Sequence, residues 1–204
     1  HGLTPQDFIM WALGNHATVS ELAADLDRVT VIDARWYDHQ RYPFHWLVMD
    51  KTGTYVIEPL GDHLRVRANP LAVFTNTPSL DEQLEKLAAY LGQPTTASVS
   101  QLMAAAANTS KPFPTGGNSV QRFIKAAIYR WEKTPRNVAA LRTFLQSVTV
   151  PNSPAHAHNY THYQAVIDLA NLRYDFHDLH SGAVVSHDLP YLMREYPTVP
   201  QRFE

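Results

Sequence analysis

Asn76 and Arg122 are the two polar residues whose positions in the sequence most suggest chemistry. Arg122 falls in the first turn of a predicted helix, where the helix dipole disfavours a cation by about 0.3–1 kcal/mol. A guanidinium at a helix N-terminus favours an anion, a thiolate or a ligand carboxylate, although the side chain could also extend into solvent. Asn76 follows a strand predicted over 71–75 and precedes Pro78. Its amide could therefore line a site at the strand terminus, or it could form a turn.

The 11 histidines are a second candidate for chemistry. His156, His158 and His162 fall in one proline-rich loop, and such imidazoles can share a zinc or iron ion if Asp178 or His180 converges on them. No HExxH pair and no cysteine accompanies them, and HxH patterns are common by chance. The sequence therefore predicts no metal and no cofactor, with a histidine metalloenzyme kept as an alternative.

Nucleophiles of covalent catalysis are scarce in this sequence. It contains no cysteine, which excludes a disulfide framework, a thiolate zinc site and a cysteine nucleophile within these 204 residues. Serine occurs in neither a GxSxG nor an SxxK pattern. The GGNS segment at 116–119 precedes a helix but lacks the lysine of a phosphate loop, so we predict a helix N-cap there.

Composition and charge bound the class of protein. With 45% hydrophobic and 11% aromatic residues the chain is globular, and its length suits one domain over residues 1–204. The net charge of −2 comes from scattered residues, so we predict no nucleic-acid partner. The longest apolar run, 102–107, is far too short to cross a bilayer, so we predict no membrane partner. Because the sequence begins at His1 without Met or a signal-like segment, we expect a fragment.

Caps and hydrophobic periodicity predict the elements that position these residues. Capping patterns at Thr4 and Thr18 predict two opening helices. Residue types and alternation predict strands over 29–32, 45–50, 55–59, 64–68, 71–75, 163–169, 172–176 and 183–185. Helical spacing predicts helices over 80–91, 101–108, 119–133 and 137–148. Strands, then helices, then strands indicate an α+β fold.

Several segments resemble one enzyme family. Residues 73–81, VFTNTPSLD, are similar to the TN-S/N-P-x-F-D segment of the choloylglycine hydrolase family, which includes bile salt hydrolases and penicillin V acylases. Residues 43–53, PFHWLVMDKTG, resemble its LHW-x-x-x-D-x-x-G hairpin, and residues 118–123, NSVQRF, resemble S-S-x-S-R-F. Further blocks agree in order: Glu58, 69–70, 147–151, 160–161 and 167–169.

The resemblance implies a fold, a reaction and two site residues. The fold is a four-layer αββα sandwich of the N-terminal-nucleophile hydrolases. The reaction is hydrolysis of a linear amide by an N-terminal cysteine thiolate whose own α-amine moves the proton. Asn76 would bind the oxyanion or position the nucleophile, and Arg122 would hold the thiolate side of the site electrostatically. The resemblance further implies a small-molecule N-acyl amide as substrate and a homo-oligomer, a tetramer.

The sequence departs from the family in what residues 1–204 do not contain. The family's cysteine, the aspartate and arginine after it and the second oxyanion asparagine lie in an N-terminal portion. We therefore expect the chain to be the C-terminal two thirds of such a domain, active only with the missing segment or a companion chain. Residues 113–117, FPTGG, replace the LPGDY of bile salt hydrolases. Conjugated bile salts, penicillin V and acyl-homoserine lactones thus stay open as substrates, and so does a cytoplasmic or exported location.

Two alternatives to an amidohydrolase follow from the same sequence. One is a noncatalytic ligand-binding or regulatory subunit that retains the fold without the nucleophile. It predicts stoichiometric binding without turnover in the presence of every natural partner chain. The other is the histidine metalloenzyme, which predicts a bound metal and activity that a chelator removes.

Overall fold

Strands and helices follow one another in nearly the predicted order. The computed structural model describes residues 2–32, 35, 39, 41–132, 137–156 and 160–197. Its contacts divide the chain into two units, His1–Thr134 and Pro135–Glu204. The prediction of one domain over 1–204 stays a prediction.

The first unit begins with two capped helices, followed by a meander and three further helices. As predicted, Thr4 accepts a hydrogen bond from the Asp7 amide and Thr18 accepts one from the Glu21 amide, which completes two capping boxes. The described elements of this unit are β1 (Gly2–Leu3), α1 (Pro5–Asn15), α2 (Val19–Asp25), β2 (Thr30–Val31), β3 (Trp46–Asp50), β4 (Gly53–Leu60), β5 (His63–Ala68), α3 (Leu80–Leu91), α4 (Val99–Asn108) and α5 (Ser119–Glu132).

The antiparallel sheet β3-β4-β5 separates two apolar clusters. Because successive residues of a strand face opposite sides, Val56 and Ile57 of β4 enter different clusters, and both are fully buried. Val56 joins the cluster formed with helices α3, α4 and α5, while Ile57 joins the one that includes Phe8 of α1 and Leu22 of α2. The strands β1 and β2 pair separately and in parallel.

The strand predicted over 71–75 is wrong. Asn69, almost fully buried, donates from its side-chain amide to the Val73 carbonyl at 2.9 Å, and its own carbonyl accepts from the Ala72 amide at 2.9 Å. These bonds close a turn in which Ala72 adopts a φ of 57°. The β-type composition of the segment is overridden because the Ala72 amide and the Val73 carbonyl are used within this turn rather than in a ladder.

The second unit contains a helix, an antiparallel sheet and a short final helix. Its elements are α6 (Val138–Ser147), β6 (Tyr163–Asp168), β7 (Arg173–Asp178), β8 (Val184–Asp188) and α7 (Leu189–Glu195), with sheet order β6-β7-β8. Helix α7 was not predicted. Its signal is short: Asp188, the last residue of β8, accepts from the Tyr191 amide at 2.8 Å, and Pro190 stands in the first turn.

The predicted α+β class is confirmed by this mixture of sheets and helices. None of the helices that the structure describes is both long and apolar enough to span a bilayer.

Candidate functional site

Asn76 lies in the loop between the turn at Asn69 and helix α3. Asn76 is exposed to solvent, but two hydrogen bonds hold its backbone carbonyl. That oxygen accepts one hydrogen bond from the Ser119 hydroxyl at 2.5 Å and another from the Gln83 side-chain amide at 2.7 Å. Within the described part of the chain, the Asn76 side-chain amide has no hydrogen-bond partner. The backbone is therefore fixed and the side chain is left available.

Gln83 of helix α3 holds this loop through the hydrogen bonds of its buried side chain. It is fully buried, and its amide nitrogen donates at 2.7 Å to both the Asn76 and the Pro78 carbonyl. Its oxygen lies 3.1 Å from the Thr75 hydroxyl, which donates to it. A buried amide must be hydrogen-bonded to avoid a desolvation cost of about 1–3 kcal/mol, and this one is.

Glu58 of β4 fixes the other end of the loop. This nearly buried carboxylate accepts from the Leu80 amide at 3.0 Å, in the first turn of α3. An acid is favoured there because the first amides of a helix lack intrahelical partners and carry partial positive charge. Arg67 lies 4.0 Å from Glu58 and also pairs with Asp81. The loop is thus held at Asn76 and Pro78 by Gln83 and at its entry into α3, Leu80, by Glu58.

Arg122 stands in the first turn of α5, as predicted. Asn118 is the cap of this helix and accepts from the Gln121 amide at 2.9 Å, which confirms the N-cap prediction for 116–119. The Arg122 Nε donates to the Gly117 carbonyl at 3.1 Å. The residue is half-buried, and this burial lowers the pKa of its guanidinium from the ordinary value. Across the described residues no carboxylate forms an ion pair with Arg122.

Ser119 connects the two predicted site residues. Its hydroxyl binds the Asn76 carbonyl, and its own carbonyl and hydroxyl lie 3.0 Å from the Thr75 hydroxyl. Ser119 and Arg122 are three residues apart on α5 and so share one face of that helix. The structure therefore places an exposed amide donor beside a helix N-terminus that carries an unneutralised cation. Such an arrangement suits a developing oxyanion or a thiolate, and the two assigned roles stay predictions.

His45 borders the same loop. Its ring contacts the Phe74 ring at a centroid distance of 4.1 Å and hydrogen-bonds to the Thr75 backbone. Burial lowers the pKa of His45, against a smaller opposing effect of the Glu58 carboxylate and of that hydrogen bond. His45 is therefore held neutral over a wider pH range than an exposed histidine.

This depressed pKa predicts a pH dependence of stability. Below the ordinary histidine pKa of 6.5, the unfolded chain takes up a proton that folded His45 does not. The contribution of neutral His45 to the free energy of unfolding is therefore fully present above that pH and is lost as the pH falls. The variant His45→Gln should consequently make the free energy of unfolding less sensitive to acid. Urea unfolding between about pH 5 and pH 8 measures it. His63→Gln, at an exposed histidine of β5, is the control, and equal pH slopes for the His45 variant and wild type would contradict the expectation.

The histidine cluster of the second unit is only partly described. His156 and His162 are both exposed, and His158 lies outside the described residues. His162 packs against the Tyr160 ring at 4.1 Å. No group of three or more histidine, aspartate or glutamate side chains suited to a metal ion occurs in the described parts of the chain. The metalloenzyme alternative stays a prediction.

Gln83 belongs to the site but was not among the residues predicted from the sequence. It lies three residues after Leu80 and four before Leu87, both buried, and so falls within the apolar stripe of α3. A polar residue at a core position of a helix is the signal that could have identified it, since buried polar groups need specific partners. The partners themselves are two backbone carbonyls and the Thr75 hydroxyl, which no residue pattern specifies.

Comparison with known protein families gives one match over most of the chain. A sequence profile of the linear amide C-N hydrolases, choloylglycine hydrolase family, matches residues 1–191. A bile salt hydrolase/transferase of Lactiplantibacillus plantarum is 34% identical over 89 residues, which are 43% of this chain and 28% of that protein. One from Bifidobacterium longum is 27% identical over 128 residues, 59% of this chain and 40% of that protein.

Solved structures are similar over nearly the whole chain. A variant of conjugated bile acid hydrolase from Clostridium perfringens superposes with a TM-score of 0.68 at 19% identity, over 93% of this chain and 63% of that one. Penicillin V acylase from Agrobacterium tumefaciens gives a TM-score of 0.71 at 21% identity, over 97% and 59%. This likeness confirms the predicted N-terminal-nucleophile hydrolase fold. The chain spans less than two thirds of the length of these relatives.

Proposed function

Since the chain belongs to the choloylglycine hydrolase family of linear amide C-N hydrolases, we propose that it supplies the charge-stabilising part of an amidohydrolase. The nucleophile is a cysteine at the mature N-terminus of the whole protein, outside residues 1–204. The observation that carries this proposal is the position of Asn76. Asn76 is exposed, and its backbone carbonyl accepts hydrogen bonds from Gln83 of α3 and Ser119 of α5. Helix α5 also carries Arg122.

The reaction assigns one task to each of these residues. The cysteine thiolate attacks the carbonyl carbon of the substrate amide, and the Asn76 side-chain amide donates to the oxygen on which negative charge develops. The C–N bond then breaks, and the cysteine's own α-amine, which took up the thiol proton when the thiolate formed, delivers that proton to the leaving nitrogen. Water hydrolyses the resulting thioester and regenerates the thiolate. The positive charge of Arg122 and the N-terminus of α5 both favour the thiolate form of that cysteine.

We propose an N-acyl amide as the substrate, of the conjugated bile salt, penicillin V or acyl-homoserine lactone type. The names of the relatives support the first two, and the FPTGG segment at 113–117 departs from the bile salt hydrolase sequence. We further propose that the whole protein is a homo-oligomer, a tetramer, as the family resemblance implies.

Assays on the whole protein that contains residues 1–204 test this function. Taurocholate, glycocholate, penicillin V and an acyl-homoserine lactone are each supplied, and the released amine is quantified over time. Catalytic turnover of one of them, unaffected by a chelator, is expected. Stoichiometric binding without turnover would instead favour the noncatalytic subunit, and loss of activity with chelator would favour the metalloenzyme.

A further inference from the structure

We propose that Gln83 is a positioning residue for Asn76 in amide hydrolysis. This inference rests on the proposed function, because it concerns the same reaction and the same amide donor. It adds a residue of helix α3 that does not touch the substrate and acts on the rate through the backbone of Asn76.

The hydrogen bonds of Gln83 are directed at one short loop. Both protons of its amide nitrogen are used at 2.7 Å, one on the Asn76 carbonyl and one on the Pro78 carbonyl. Its oxygen accepts from the Thr75 hydroxyl at 3.1 Å, so the side chain bonds to Thr75 and Pro78 as well as to Asn76. An amide can make these bonds simultaneously, whereas an apolar residue would leave the Asn76 and Pro78 carbonyls without this donor.

The second acceptor position of the Asn76 carbonyl is filled from α5. Ser119 donates to it at 2.5 Å, and Ser119 lies one helical turn before Arg122. The peptide plane after Asn76 is thereby held between α3 and α5. Because the backbone conformation restricts which rotamers a side chain can adopt, this double anchoring limits where the Asn76 amide can point. Gln83 therefore connects the loop that carries the amide donor to the buried face of α3.

A donor to a developing oxyanion must be placed closely. A displacement of about 1 Å in a reacting constellation lowers the rate by about 10²-fold. The contact is strongest in the transition state, so losing the position of Asn76 should lower kcat and leave KM nearly unchanged. A residue that only stabilised the fold would instead change the amount of active protein. Active-site titration counts the active protein, so kcat per active site would then be unchanged.

The test is a double-mutant cycle in the whole protein. Gln83→Met keeps the side-chain length and removes the amide, and we expect it to lower kcat about 10- to 100-fold, with KM within about twofold. Combined with Asn76→Ala it should lower kcat little further than Asn76→Ala alone, because both changes remove the same contact. Gln101→Met is the control for the same exchange: Gln101, in the first turn of α4, accepts from the Ser98 amide at 2.8 Å and from the Ser98 hydroxyl at 3.0 Å.

Gln83→Glu provides a second variant if Gln83→Met does not fold. A protonated carboxyl donates one hydrogen bond and a carboxylate donates none. The ratio of its kcat to that of wild type should therefore rise as the pH falls. A flat ratio, or losses that add fully to those of Asn76→Ala, would overturn the positioning role. Wild-type turnover by Asn76→Ala would instead overturn the proposed function, so the two failures are distinguishable.

Discussion

Replacing Asn76 by alanine should lower kcat for amide hydrolysis by about 10²- to 10³-fold, which corresponds to roughly 2.7–4 kcal/mol of transition-state stabilisation. This size is expected because the amide would donate to an oxygen that becomes charged only as the thiolate attacks. The exposed side chain has no hydrogen-bond partner in the described part of the chain, and the two bonds that hold this residue are made by its backbone carbonyl. Alanine keeps that carbonyl, so the fold should be unaffected.

Stability and rate are measured together for this variant. The urea unfolding midpoint should match that of wild type while the turnover of the best substrate falls. Asn108→Ala is the control, since Asn108 is an exposed asparagine at the end of α4 whose side-chain amide donates to the Ala104 carbonyl of its own helix. If Asn76→Ala hydrolyses the substrate at the wild-type rate, the role of Asn76 as an oxyanion donor is wrong.

Replacing Arg122 by methionine should have the second large effect. The guanidinium is half-buried at a helix N-terminus with no ion-pair partner among the described carboxylates, and burial lowers its pKa. The free-energy cost of burying this charge is offset if an anion faces it. Removing one member of such a buried pair costs about 2–5 kcal/mol. We therefore expect kcat/KM to fall by about 30-fold or more.

The pH profile of the Arg122 variant identifies the anion. Without the nearby positive charge the thiol ionises less readily, so the acid limb of the kcat/KM profile should move to higher pH. Arg122→Lys should retain part of the activity, because it keeps the charge and loses the planar fork. Arg130→Met, at an exposed arginine near the end of the same helix, is the control. An unshifted profile would show that Arg122 does not act on the nucleophile.

Local signals predicted the helices that form the site. The leucine stripe and Gly92 specified α3, and Gly92 indeed ends that helix at a φ of 72°. The cation in the first turn of α5 was recognised from position alone, because it opposes the helix dipole. The segment 71–75 was misassigned because the competing interaction, a buried Asn69 amide bound to the Val73 carbonyl, is not visible in a pattern of residue types.

Contacts between distant segments set the limit of sequence prediction. Ser119 reaches the Asn76 carbonyl across 43 positions of the chain, and Leu80 reaches Glu58 across 22. Such pairs depend on how helices pack, which periodicity does not specify. Gln83 was missed for the same reason: its place in the apolar stripe marks it as unusual, but its partners are two carbonyls and a hydroxyl of a loop.

The mass of the whole protein during turnover tests the N-terminal cysteine nucleophile most directly. The best substrate is mixed with enzyme, the reaction is stopped with acid at short times, and intact protein and its peptides are weighed by mass spectrometry. We predict a transient increase equal to the acyl group, located on an N-terminal cysteine and lost as the thioester hydrolyses. Steady turnover with no acylated protein, or acylation at another residue, would contradict the central claim that this fold serves an N-terminal cysteine nucleophile.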